Sequence, residues 1–174
     1  MTLSPGLRKL ALTAHVTASV GWLGAVAGTF GLGVAILTSR DVETVRAAYL
    51  ALELGAWYVL VPFAFASLLT GVVQSVGTPW GLFRHYWVLA KLLMNVFATI
   101  VLLLYTQTLG HLADIAETSA AGDPASLRDA SPALHAGTAV LLLVVATVLA
   151  VYKPQGMTPY GRRKLDERRL LAGS

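Results

Sequence analysis

The chain of 174 residues contains no cysteine, and only 13% of its residues are charged. Without cysteine there is no disulfide framework, thiolate metal site, iron–sulfur cluster or Cys nucleophile. Ordinary soluble domains carry about 25% charge, so this chain lacks the groups that keep a globule in solution. Disorder is excluded as well, because it needs low hydrophobicity and high net charge, whereas 56% of the residues here are apolar. A phosphate-binding glycine loop, a nucleophile constellation and a separate soluble domain are all missing, which argues against ATP-driven work by this chain alone. What charge there is, net +4, avoids the apolar stretches and gathers at their ends. That is the pattern of a membrane protein.

Four stretches carry no Asp, Glu, Lys or Arg: 30 residues between Lys9 and Arg40, 30 between Glu53 and Arg84, 22 between Lys91 and Asp114, and 23 between Asp129 and Lys153. The hydrocarbon core of a bilayer takes roughly 20 residues of helix. Backbone groups cannot stay unpaired in lipid, so each stretch is expected to be a helix. The expectation is an all-α, four-transmembrane-helix bundle over 1–154, with spans near 9–38, 46–76, 86–110 and 133–153, followed by a basic tail over 155–174. The first stretch follows Arg8 and Lys9 and contains a cleavage-like Ala25-Val26-Ala27. It continues to Leu37, well past the about 7–15 residues of a signal-peptide core, so the helix is expected to be retained.

Positive charge sets the expected orientation. With both termini cytoplasmic, that side carries Arg8, Lys9, Arg84, Lys153, Arg162, Arg163, Lys164, Arg168 and Arg169, against Arg40, Arg46 and Arg128 opposite. The positive-inside rule then places both ends in the cytoplasm of a plasma-membrane protein. The basic tail is expected to hold topology and touch anionic headgroups of the lipid bilayer, not nucleic acid. Gly77, Pro79 and Gly81 mark a turn between spans two and three. The outer connection over 111–132 is polar, and its 109–115 portion is able to extend the third helix.

Gly21, Gly24, Gly28, Gly31 and Gly33 crowd the first span and include a Gly24-x-x-x-Gly28 pair. Small residues let helices approach closely in lipid, either within the bundle or across a homodimer. Pro62 is expected to kink the second span. Trp22, Trp57, Trp80, Trp87, Tyr49, Tyr86 and Tyr152 fall mostly near span ends, where interfacial anchors belong.

The ionisable groups within spans are the informative ones, because charge at membrane depth is costly and normally faces a partner inside the bundle. His15 and Lys91 lie about one turn into spans one and three from the same side. Lys91, Asn95 and Thr99 form a stripe on one helix face. Ser67, Thr70 and Gln74 share a face of span two, and Ser19 sits a turn above His15. Together they are expected to line one polar chamber open to the cytoplasm. The plainer alternatives are snorkelling of Lys91 to the headgroups and a structural hydrogen bond for His15. At the outer side, Glu53, His111 and His135 share a level. They are either a Zn or Cu site or ordinary interfacial polar residues, and no HExxH or His-x-His spacing supports the metal.

His15 followed by Trp22-Leu23-Gly24 resembles the first helix of the HemJ-type protoporphyrinogen oxidases and of the related copper-resistance D-like membrane proteins. Trp87-Val88-Leu89-Ala90-Lys91-Leu92-Leu93 resembles the Trp-x-x-x-Lys-Leu-Leu of the HemJ third helix, and Lys153-Pro154 its closing Lys-Pro. The overall layout is most similar to an uncharacterised family of actinobacterial integral membrane proteins. The resemblance implies a helical bundle binding heme b or a porphyrin, with His15 ligating iron, Lys91 functional and Trp22 and Asn95 beside the cofactor. A porphyrin or quinone would enter laterally between helices. The chain departs from HemJ at Leu89, where that family has a second histidine, and at Tyr105-Thr106, where its distal histidine has no clear counterpart. Both departures argue against protoporphyrinogen oxidation as such. Copper transport lacks soft ligands, since Met1, Met94 and Met157 are far apart in sequence. Two function classes therefore stand: a heme or redox protein, and a non-catalytic subunit, scaffold or small transporter.

Overall fold

The computed structural model describes residues 3–78, 81–119 and 124–172. Pro79 and Trp80, part of the expected turn and aromatic belt, lie outside the described residues, as do the Arg168 side chain of the tail and 120–123 of the outer connection.

Helix α1 (Pro5–Thr38) starts where the Ser4 side chain accepts from the Leu7 amide, with Pro5 at the position that needs no donor. It ends as Ser39 turns extended. Two residues on, the Asp41 carboxylate accepts from the Thr44 amide at 3.0 Å and the Thr44 hydroxyl at 2.6 Å, opening α2 (Val42–Gly55). The second span then passes through a π-turn (Ala56–Leu60) into α3 (Val61–Val76). Pro62 lacks an amide hydrogen, and its ring crowds the carbonyl four residues earlier, that of Tyr58. The expected kink takes the form of this widened turn. Helix α4 (Tyr86–Thr118) runs eight residues beyond the expected end, through the 109–115 extension. A short 3₁₀ turn (Pro124–Leu127) leads to α5 (Ser131–Tyr152), which stops at Lys153 in the left-handed region (φ 45°) just before Pro154. The tail folds as α6 (Pro159–Ala172).

Four helical stretches, α1, α2 through α3, α4 and α5, are long and apolar enough to cross a membrane. They form a ring in which α1 packs on α2–α3 and on α5, and α4 packs on the same two neighbours from the other side. Trp22, Val26, Ile36, Tyr49, Leu52 and Leu109 belong to the core. The outward surface is apolar: Val20, Leu69, Leu93, Phe97, Leu104 and Leu141 all stand exposed. Apolar patches on this scale need a non-aqueous neighbour.

Trp22, Tyr49 and Trp87 depart from the aromatic-anchor expectation, being 3%, 2% and 7% exposed. Tyr49 spends its hydroxyl on the Leu127 carbonyl at 2.7 Å, a buried bond that pulls the 3₁₀ turn onto α2. The glycines also divide. A Cβ on Gly33 would stand 2.7 Å from the Ala133 amide nitrogen, and one on Gly21 would strike the Phe63 ring, so these two allow α1 to approach α5 and α3. Gly24, Gly28 and Gly31 face open space, so the Gly24-x-x-x-Gly28 pair plays no part in packing within the chain.

Each end is tied by backbone carbonyls. Arg46 donates to the carbonyls of Ala116 (3.0 Å) and Ser119, satisfying the last turn of α4. At the other end, Leu3 bonds the Gly77 carbonyl, while Thr158 donates through its hydroxyl to Phe83 (2.6 Å) and through its amide to Arg84 (2.9 Å). Leu3 and Thr158 therefore lie at the same end as the α3–α4 turn. The segment after 154 is not a loose tail at its start, since Thr158 is buried.

Candidate functional site

Near that end, α1 turns His15 and Ser19 toward α3, whose Ser67, Thr70, Gly71 and Gln74 recur at helical spacing on the facing side. The His15 Nδ1 lies 3.1 Å from the Thr70 hydroxyl oxygen. Thr70 commits its single hydroxyl hydrogen to its own helix, at 2.6 Å from the Ala66 carbonyl. It can therefore only accept from histidine, so Nδ1 carries the hydrogen. In the neutral ring, Nε2 is then left with a bare lone pair. Gly71 forms the seat: a Cβ there would come within 3.1 Å of the imidazole Cε1. One turn along, Ser19 and Ser67 join hydroxyls at 2.9 Å.

Helix α4 closes the other side. The Lys91 ammonium sits 4.7 Å from the Trp87 ring centroid, a cation–π contact that holds the half-buried side chain over the ring. Between these walls is a polar chamber of about 70 Å³, lined by His15, Gly71, Gln74, Ser75, Trp87 and Lys91 among others. The Gln74 Oε1 is buried with no hydrogen-bond partner. An acceptor left in that state costs about 1–3 kcal/mol.

The structure thus brings together His15, Gln74 and Lys91 from three helices. It does not bring Asn95 or Trp22 to them. The Asn95 carbonyl accepts the Thr99 hydroxyl at 2.8 Å, and neither residue lines the chamber. Trp22 borders a separate, larger cavity. Ser75, Thr78 and Gly71 complete the chamber wall and were not singled out by sequence; Gly71 lies four residues after Ser67 on the same face, the one pattern that could have found it.

The outer residues do not converge. Glu53 reaches over Gly110 of α4, with Oε1 3.4 Å from where a Cβ would be. His111 is exposed, and His135 stacks on Tyr105 with centroids 3.9 Å apart. Among the described residues, no three His, Cys, Asp or Glu side chains are placed to hold a metal ion.

The implied porphyrin can be tested against the His15 environment by volume. Each enclosed water needs at least about 10–15 Å³, so 70 Å³ holds a few waters or one small solute. A four-pyrrole macrocycle does not fit there beside Gly71. Comparison with known protein families, curated proteins and solved structures finds no match.

Proposed function

We propose that the chain is a multi-pass plasma-membrane protein with both termini in the cytoplasm, and that its chamber is a proton-exchange site of the small-transporter class. The observation that carries this reading is that His15, bonded through Nδ1 to Thr70, and the cation Lys91 line one small polar void. The neutral imidazole keeps one acceptor nitrogen, which water or a small hydrogen-donating solute can serve. His15 is the only one of the lining side chains that takes up and releases a proton near neutrality. Lys91, fixed over Trp87, opposes accumulation of a second positive charge in the chamber and favours passing the proton on. Ser19 and Ser67, bonded to one another, continue the polar path one turn further into the bundle. The orientation rests on the nine-to-three excess of basic residues at the terminal end.

The test is proton entry into liposomes that hold the full chain and a trapped pH indicator, under an imposed pH gradient. Flux above protein-free vesicles, reduced by His15→Phe and by Lys91→Met in correctly folded protein, is the expected result. Wild-type flux equal to that of empty vesicles would overturn the reading.

A further inference from the structure

A second cavity of about 310 Å³ lies between α4 and α5 and shares no lining residue with the polar chamber. Its back is formed by the buried Trp22, Val26 and Leu60, and its mouth by Phe97 and Leu134, which are 61% and 67% exposed. It therefore opens on the apolar flank of the bundle. Along α5 its wall runs from Pro132 to Leu143, about 16 Å at 1.5 Å per residue. The volume is at the small end of the roughly 300–1,000 Å³ of small-molecule sites, which pair an apolar lining with a few placed polar groups.

The polar side chains in its lining are Thr29, Tyr105, His135 and Thr138. The Tyr105 and His135 rings stack nearly parallel, 13° apart. The Tyr105 hydroxyl is held by the Ser131 hydroxyl at 2.8 Å. The His135 Nδ1 lies 2.9 Å from the Ser131 carbonyl, which has no hydrogen to give. That bond fixes the hydrogen on Nδ1 and leaves Nε2 as an acceptor in the neutral ring. The site thus combines an elongated apolar wall, an aromatic stack with a histidine acceptor at one end, and the hydroxyls of Thr29 and Thr138 in the lining.

We propose that this cavity binds a lipid-soluble phenol, with its ring beside the Tyr105–His135 pair, its hydroxyl donating to the His135 Nε2, and its alkyl tail along Phe97 and Leu142. The hydroquinone heads of prenylated quinols belong to this chemical class. A lipid acyl chain matches the wall but offers the imidazole nothing. The proposal is independent of the chamber reading, because the two voids have no residue in common.

The experiment compares binding of 4-dodecylphenol with that of 4-dodecylanisole, which has a similar shape but no hydroxyl hydrogen, to the full chain in nanodiscs, by calorimetry and thermal unfolding. The phenol is expected to bind at least tenfold more tightly. His135→Phe, which keeps a ring for the stack, brings the phenol down to the anisole level and leaves the anisole unchanged. Ala139→Leu fills the cavity and weakens both. Should that variant fail to fold, the ligand pair on wild type and His135→Phe still decides. Equal binding of the two ligands, binding of neither, or an undiminished phenol preference in His135→Phe would overturn the proposal.

Discussion

Thr70 accepts the Nδ1–H of His15 at 3.1 Å because its own hydroxyl hydrogen is spent on the Ala66 carbonyl one turn back. A back-bond inside α3, ordinarily a minor feature of helical threonine, thereby decides which nitrogen of a histidine on α1 carries the hydrogen. The nitrogen-15 NMR spectrum of ring-labelled His15 is expected to show a protonated Nδ1 and a bare Nε2 in the neutral form. Thr70→Val removes the acceptor, so both tautomers appear and stability falls by about 1–3 kcal/mol for the unpaired donor. A wild-type ring protonated on Nε2 would refute the assignment.

The glycines of α1 give a paired prediction. Gly33→Ala drives a methyl into the Ala133 backbone, which cannot yield as a side-chain tip does. It should cost at least about 1–3 kcal/mol, the usual penalty of overpacking. Gly24→Ala meets nothing and gains up to about 1 kcal/mol of helix propensity, so it should be neutral or slightly stabilising. Unfolding in mixed micelles measures both. A large loss in Gly24→Ala would mean that this face is covered by a second copy.

Arg46→Met removes the guanidinium bonds to the Ala116 and Ser119 carbonyls. Amide exchange over 113–118 is expected to accelerate as the last turn of α4 frays, with a loss of about 1–3 kcal/mol. Unchanged exchange there would show that the cap adds nothing.

Asp41, at the start of α2, has its carboxyl held below the ordinary value of 3.8 by the Thr44 hydroxyl first and the Thr44 amide second. Its pKa is lower folded than unfolded, so its stabilisation is fully present above the unfolded value and is lost as pH falls through the folded one. The wild type should therefore lose stability relative to Asp41→Asn as the medium is acidified below roughly pH 5, while the asparagine still caps the helix. Parallel acid profiles for the two proteins would contradict this.

The chamber volume also predicts a spectrum. Protein purified from heme-supplemented cells should show no Soret band that depends on His15, oxidised or dithionite-reduced. A Soret band that vanishes in His15→Ala would mean that α1, α3 and α4 separate far more widely than the 70 Å³ between them allows.

Much of the architecture was legible because charge is scarce enough to act as punctuation: each of the four charge-free runs lies largely within one of the four long apolar helices. His15, Gln74 and Lys91 were legible as neighbours because residues at one depth in a narrow bundle have few other places to meet. Depth alone fails where direction around the helix axis matters. Asn95 shares the Lys91 stripe yet lies outside the chamber, and Trp22 follows His15 along α1 yet borders the other cavity. Glu53, His111 and His135 were expected at one level, but α5 turns His135 onto Tyr105, six residues before His111 on α4. The docking of Thr158 under the α3–α4 turn was not legible at all, since it depends on backbone carbonyls that no side-chain pattern announces. Pro62 announced a break, but whether the chain would bend or widen into a π-turn depends on packing across the bundle.

The proposed proton exchange requires water in the chamber beside His15. Water-edited solid-state NMR of ring-labelled His15 in bilayers reads that contact directly. Rapid magnetisation transfer from water to the imidazole, with an Nε2 that titrates with the pH of the medium, is the predicted result. A His15 ring that receives no magnetisation from water and keeps one protonation state at every pH would contradict it.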